Sequence, residues 1–188
     1  VAYKLVSALR FYETDFYNAE ICLFNIAQDS ENQCYNIDCL KVRNLAKIKE
    51  LHETIVPGKT SIYDLKLPYF LQGQLIYVWD APKTQALLKE IFGSGVEFNL
   101  NDLRTDISKI MPAICKKSAE QLKELSLIGK YIEEEKTVIS SLYNLYVTYC
   151  KKIISNKYPE QQKDENKDLQ LVALAALADI MPMKDENR

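Results

Sequence analysis

Short apolar runs along the chain predict three β-strands. Residues 19–27 (AEICLFNIA) and 34–42 (CYNIDCLKV) are rich in side chains that favour strands, and the polar segment 28–33 separates them. We therefore expect these two strands to form a hairpin. Residues 75–79 (LIYVW) are too few for a helix and show no alternation of polar and apolar positions. This pattern is typical of a central strand that is covered on both faces.

Helical spacing of apolar residues predicts helices around these strands. They cover residues 1–14, 44–53, 61–71, 81–92, a segment that follows Ser118, and residues 133–153. Asp80 and Pro82 are typical of a helix start, and Gly93 is typical of a helix end. Ser118 and Gln121 have the spacing of a capping box. Strands and helices in this order predict an α/β fold.

Composition and charge limit the classes of protein to which this chain can belong. The chain has 188 residues, of which 47% are hydrophobic, as in globular domains. It has no apolar segment long enough to span a bilayer and no signal-peptide pattern, so we expect a cytoplasmic protein without a membrane partner. The formal net charge of −2 gives no overall attraction to nucleic acid. Any contact with DNA then needs a local basic patch or another part of a larger protein.

Cysteine and histidine content excludes several kinds of site. His52 is the only histidine, so a histidine-based triad or a multi-histidine metal site cannot form within the chain. We expect His52 at the surface or at a helix end.

The pairs Lys116–Lys117 and Lys151–Lys152 are short, and such pairs are usually solubilising. The five cysteines form no C-x-x-C pair and are expected to be free thiols: Cys22, Cys34, Cys39, Cys115 and Cys150.

The last residues of the chain carry a motif. Residues 171–188 read LVALAALADIMPMKDENR, and they resemble the segment of RecJ-type DHH phosphoesterases in which a buried helix delivers an aspartate before a proline turn and an E-N-R triplet. Residues 1–9 (VAYKLVSAL) resemble a helix that precedes this segment in the same family. The family usually has Gly-Thr where this chain has Ala175 and Ala176.

The resemblance implies a function for a larger parent protein. RecJ-type enzymes degrade single-stranded DNA in the 5′ to 3′ direction with Mn²⁺ or Mg²⁺, and Asp179 takes the place of one of their metal ligands. A hard carboxylate oxygen is a ligand that these cations prefer. The other family motifs, including the D-H-H triplet, are expected before Val1. No cofactor is expected to bind to the present chain alone.

The region between the two flanks resembles a different family. Residues 19–153 are similar to DnaQ-like (DEDD) exonuclease domains, which have a ribonuclease-H-like sheet. The anchors are residues 70–92 (FLQGQLIYVWDAPKTQALLKEIF) and 118–143, where the family has a capped leucine-rich helix and then a Leu-Tyr pair. The resemblance implies an α/β fold with a ribonuclease-H-like mixed sheet flanked by helices, to which the DHH domain contributes short helical flanks.

These exonucleases need four carboxylates that hold two divalent metal ions about 4 Å apart. The corresponding positions here are mostly not acidic, and Asp80 stands where the family has Asn. The degenerate motif positions are Asn25, Ala27, Asp80, Thr84, Tyr131 and Glu135. Another register would use Glu13 and Asp15 as the first acidic pair, but it leaves the predicted strand 19–27 without a role. We therefore expect an exonuclease fold without catalysis.

The resulting hypothesis divides the chain into four parts. Residues 1–15 are a helical flank of the DHH domain, 16–154 an inserted DnaQ-like domain, 155–168 a polar linker, and 169–188 the return segment of the DHH domain. The insert is expected to serve structure, DNA placement or partner binding within an exonuclease that acts on single-stranded DNA. Two alternatives stay open, namely an active metal-dependent 3′ to 5′ exonuclease and a protein-interaction module without a nucleic-acid role.

Overall fold

The computed structural model of this protein describes residues 14–124 and 137–157 and a few single positions outside them. These single positions are Leu9, Tyr12, Lys167, Gln170, Leu171 and Leu174. The described residues form an α/β fold in which helices flank a five-stranded mixed sheet. This confirms the predicted fold class at the level of α/β architecture.

The sheet contains two antiparallel and two parallel pairs of strands. Its strands are β1 (Ile21–Asp29), β2 (Cys34–Arg43), β3 (Ala46–Ile55), β4 (Leu75–Val78) and β5 (Leu100–Asp102). The spatial order is β3-β2-β1-β4-β5. Antiparallel pairing joins β1 to β2 and β2 to β3, whereas β4 runs parallel to both β1 and β5. The predicted hairpin and the predicted central position of residues 75–79 are both confirmed.

Five α-helices and three short 3-10 turns surround the sheet in the described ranges. The helices are α1 (Asp15–Asn18), α2 (Leu67–Leu71), α3 (Ala81–Phe92), α4 (Leu103–Ser108) and α5 (Val138–Lys157), and the 3-10 turns are Ile62–Asp64, Ile114–Lys116 and Glu120–Glu124. Helix α3 begins after Asp80 and ends at Gly93, as predicted, and Gly93 has the positive φ of 94° that favours glycine. Within the described residues, no helix has the length and apolar character needed to cross a bilayer.

The helix predicted over residues 44–53 is wrong, because this segment forms strand β3. The prediction rested on the helical spacing of Leu45, Ile48 and Leu51. However, Asn44 and Leu45 both have positive φ and make a tight turn between β2 and β3, of the kind that joins adjacent antiparallel strands. Ile48 is half-exposed, and β3 is an edge strand with mostly polar side chains. Glycine, the usual signal of such a turn, is absent here.

Other boundaries differ from the predictions in smaller ways. The predicted helix 61–71 is divided into a 3-10 turn and the short α2. Ser118 and Gln121 do cap each other, since each side-chain oxygen accepts from the other residue's backbone N–H, but they start a 3-10 turn instead of an α-helix. Helix α5 ends at Lys157, beyond the start of the predicted linker. Most of residues 1–14 and the return segment lie outside the described residues.

Both faces of the sheet are covered by apolar side chains. On one face, Ile21 and Leu23 of β1 pack with α4 and α5. On the other face, Cys22 and Phe24 pack with α2 and α3. The uninterrupted apolar run in β1 follows from this burial on both sides. Strand β1 therefore lies at the centre of the sheet, and its middle residues line the site described next.

Candidate functional site

A cleft opens at the carboxyl end of β4, beside the middle of β1. Strand β4 pairs with β1 only at residues 21–23, and the chain then leaves the sheet to start α3. The part of β1 that follows has a strand neighbour on the β2 side only. The cleft has a volume of about 340 Å³. Its lining residues are Phe24, Asn25, Ile26, Trp79, Asp80, Lys83, Thr84, Leu87, Arg104, Lys116, Lys117, Ser118 and Ala119.

Three of the degenerate motif positions meet in this cleft. Asn25, Asp80 and Thr84 all line it, although Asp80 is 55 positions from Asn25 in the chain. Ala27 lies further along β1, opposite Asn36 of β2, and is not among the lining residues. The remaining predicted site residues, Tyr131, Glu135 and Asp179, lie outside the described residues.

The alternative acidic pair, Glu13 and Asp15, is not brought to the cleft by the described part of the chain. Asp15 is the first residue of α1 and does not line the cleft. Glu13 lies outside the described residues. Of this pair, the structure describes only Asp15, and Asp15 lies outside the cleft lining.

Both carboxylate oxygens of Asp80 are engaged within the protein. Oδ1 accepts a hydrogen bond from the backbone N–H of Lys83 at 3.0 Å, which caps α3. Oδ2 lies 3.0 Å from a guanidinium nitrogen of Arg104. Asp102 holds this arrangement in place, because its carboxylate accepts from the N–H groups of Ala81 and of Thr105 at the start of α4. Asp80 thus has a structural role at the junction of two helices.

The described lining residues do not fit a two-metal centre. Asn25 offers a neutral amide and Thr84 a hydroxyl, whereas Mg²⁺ and Mn²⁺ sites of this kind need several carboxylates. Asp80 is the single carboxylate in the cleft lining, and its oxygens are already engaged. Within the described ranges, no group of three or more His, Cys, Asp and Glu side chains could hold a metal ion.

Positive charge dominates the cleft instead. Lys83, Arg104, Lys116 and Lys117 line it, against the one carboxylate of Asp80. The indole N–H of Trp79 donates to the carbonyl of Lys117 at 2.9 Å, which ties the segment with both lysines to the end of β4. Four cations around one concave surface attract anions more strongly than scattered charges do.

Sequence reasoning missed most of this basic cluster. The sequence shows the pair Lys116–Lys117, but pairs this short are usually solubilising. Arg104 had no local signal at all, because it approaches Asp80 only through the parallel pairing of β4 with β5. The cluster is formed by residues on the start of α3, on α4 and on the loop after α4.

The cysteines and the histidine take no part in the cleft. All five cysteines are free thiols, as predicted. A hydrogen bond with Cys22 and burial raise the pKa of the Cys39 thiol, and burial raises the pKa of Cys150 to about 12 and that of Cys115 above its usual range. These thiols are therefore neutral at pH 7 and poor nucleophiles. His52 is exposed, as predicted, but it lies in strand β3 instead of at a helix end.

Comparisons of the chain with protein families, with curated proteins and with solved structures find no match.

Proposed function

We propose that this chain is an internal part of a RecJ-type 5′ to 3′ exonuclease for single-stranded DNA. In this proposal the central region is an inserted, DnaQ-like domain that no longer cleaves DNA. It serves to place single-stranded DNA or a partner protein for the DHH domain. The Mn²⁺ or Mg²⁺ ions of the reaction belong to the parent enzyme, to which Asp179 would contribute one ligand.

The sheet supports the ribonuclease-H-like part of the proposal. Three antiparallel strands followed by two parallel strands, in the order β3-β2-β1-β4-β5, suit that architecture. Its cleft also opens where parallel strands end, which is the usual place for ligands in open α/β sheets.

The observation that carries the non-catalytic role is the chemistry of the cleft. The motif positions Asn25 and Thr84 meet there without a carboxylate, and Asp80 is engaged by Arg104 and by the start of α3. Cations surround these residues, whereas metal-dependent cleavage needs a cluster of acids. A surface with this charge suits binding of an anion better than hydrolysis.

Incubation of the purified chain with labelled single-stranded DNA and Mn²⁺ tests this role. We expect no shortening of the DNA from either end, because the described cleft does not supply the ligands of a two-metal centre. Digestion in the 3′ to 5′ direction that is lost on Glu135→Ala would contradict the proposal and favour the active-exonuclease alternative. Asp15→Ala serves as the control for the other acidic register.

The parent assignment has a separate check. The gene that encodes this chain should encode a D-H-H triplet upstream of Val1. A gene without that triplet would contradict the RecJ assignment and would leave the account of the cleft unaffected.

A partner-binding role is favoured by one further observation. Tyr63 and Tyr69 lie close in sequence and are 90% and 81% exposed. Exposed tyrosines are enriched in protein interfaces. Affinity capture from cell extract, with and without nuclease treatment, distinguishes binding of a partner protein from binding of DNA. Direct protein binding would be favoured if the captured proteins persist after nuclease treatment. These proteins should then be lost in the double variant Tyr63→Ser with Tyr69→Ser.

A further inference from the structure

The cleft contains positive charge that the described part of the chain does not neutralise. Within residues 14–124 and 137–157, the side chains of Lys83, Lys116 and Lys117 make no ion pair, whereas Arg104 is paired with Asp80. The chain as a whole carries a formal charge of −2. Concentration of uncompensated cations in one cleft of an acidic chain indicates a ligand that is an anion.

A buried amide faces the same cleft. Asn25 lines it and is only 9% exposed. Its side chain makes no hydrogen bond to the described part of the protein. Among the described residues, the single fully buried side-chain polar atom without a partner is Oε1 of Gln74, so the amide atoms of Asn25 are accessible from the cleft. Asn25 therefore offers two N–H donors and one carbonyl oxygen to a group that enters the cleft.

The acidic residue paired with Asn25 in the sheet lies outside the cleft lining. Asp38 of β2 is the direct neighbour of Asn25 in the strand register. Its carboxylate is bound by the Nδ1 atom of His52 at 2.8 Å. Asp38 is thus directed to the partner on β3, and it is not among the residues that line the cleft.

The volume of the cleft and its apolar lining residues indicate a ligand larger than an inorganic anion. A volume of about 340 Å³ lies at the lower end of the range for small-molecule sites. Phe24, Ile26 and Leu87 add apolar surface beside the cations. A ligand that matches both parts has a phosphate group and a flat ring whose faces can pack against apolar side chains, as a nucleotide has.

We propose that this cleft binds a nucleoside monophosphate unit directly through its cations, without a bridging metal ion. The phosphate lies among Lys83, Lys116 and Lys117, and Asn25 donates to the ligand. The choice of single-stranded DNA as the source of this unit rests on the proposed function, whereas the phosphate chemistry does not. A free nucleotide is the other possible source.

Fluorescence anisotropy in EDTA tests the proposal on the full chain. The probes are fluorescently labelled oligothymidylate and fluorescently labelled thymidine monophosphate, and unlabelled thymidine monophosphate serves as competitor. We expect the oligonucleotide to bind without metal, and Lys116→Ala with Lys117→Ala to weaken binding about tenfold at low salt. A plot of the logarithm of the association constant against the logarithm of the salt concentration should have a slope that is less steep by about 1.4, because two phosphate contacts to a single strand are lost.

The pair Lys151→Ala with Lys152→Ala is the matched control. It removes the same charge from exposed positions of α5 that do not line the cleft, so binding should change less than about twofold. Equal losses in both double variants would overturn the proposal, since they would show attraction by total charge. Lys83→Ala, at an exposed position on α3, gives a second variant that should weaken binding if the first is misfolded.

The remaining outcomes separate this proposal from the proposed function. Binding that needs Mn²⁺ would overturn the metal-free site. Binding of thymidine monophosphate alone, without the oligonucleotide, would support the phosphate site but contradict DNA placement. Absence of binding to both probes, together with absence of DNA cleavage, would overturn the site and leave the non-catalytic role standing.

Discussion

Asp80 has a role in the fold that uses both of its carboxylate oxygens. It caps α3 through the N–H of Lys83 and pairs with Arg104. Asparagine caps helices about as well as aspartate, because both side chains offer an oxygen to the free N–H groups. The charge of Asp80 is therefore separable from its capping role.

The variant Asp80→Asn uses this difference. It keeps the cap and removes the only carboxylate from the described cleft lining. We expect affinity for the oligonucleotide in EDTA to rise about threefold, because a nearby negative charge is lost and Arg104 is released. Stability should fall by less than about 1 kcal/mol, as for other partly exposed ion pairs.

The control is Glu97→Gln, which removes a carboxylate from the exposed ion pair with Lys89, away from the cleft. Its affinity should stay within about twofold of the parent chain. Weaker binding of the Asp80→Asn variant, or loss of a Mn²⁺-dependent cleavage activity, would show that the carboxylate serves a ligand or a metal ion.

At the scale of elements, the cross-strand pair Asp38–His52 reports on the pairing of β2 with β3. The two residues are direct partners in the register, and their side chains meet at 2.8 Å. The hydrogen bond with Asp38 raises the pKa of His52, and the nearby Glu50 adds to the effect. This interaction exists only if residues 46–55 form a strand, so it tests the element that sequence periodicity misassigned.

Nuclear magnetic resonance titration of the single histidine measures the shift. We expect the pKa of His52 to lie above its ordinary value of 6.5 and to fall on Asp38→Asn. The matched change Glu31→Gln, in the exposed loop between β1 and β2, should leave it unchanged. A pKa that is the same in the Asp38→Asn variant would contradict the strand register.

The Asp38–His52 pair makes the free energy of unfolding depend weakly on pH. A raised pKa in the folded state means that protonated His52 stabilises the fold. The contribution is complete below the ordinary pKa of 6.5 and is lost as the pH rises through the raised value. Both side chains are partly exposed, so the effect should stay below about 1 kcal/mol. Urea unfolding of the parent chain and of His52→Gln at several pH values measures the difference.

At the scale of the whole molecule, α5 completes one face of the sheet. Leu142 is fully buried between α5 and the sheet, within the cluster that includes Ile21 and Leu23 of β1. The hydroxyl of Tyr143 donates to the carbonyl of Leu45 at 2.8 Å, which connects α5 to the turn between β2 and β3. A helix that is distant in sequence thus stabilises both the central strand and the edge hairpin.

The variant Leu142→Ala should lower the free energy of unfolding by about 2–5 kcal/mol, because it removes buried methyl groups and leaves a cavity. Urea denaturation measures this loss. Ile48→Ala, at a half-exposed position of β3, should cost less than about 1 kcal/mol. Similar costs for the two variants would contradict the packing of α5 against the sheet.

The sequence by itself determined the elements whose signals are local. The apolar runs marked β1, β2 and β4, and the residues from Asp80 to Pro82 marked the start of α3. These elements can be recognised from a few adjacent residues, because a helix cap, a glycine at a helix end and an apolar run each extend over only a few positions. Asn25 and Thr84 were singled out by the proposed resemblance to DnaQ-like domains instead of by a local signal, and both line the cleft.

Only the tertiary structure decided the character of the cleft and the identity of β3. A mostly polar edge strand has little apolar periodicity, so its pairing with β2 outweighs local propensity. Arg104, Lys83 and Lys117 come from separate segments and meet because β4 and β5 lie parallel beside β1 and end together, before β1 ends. Electrostatic fields depend on distance in space, which strand pairing sets and distance along the chain does not.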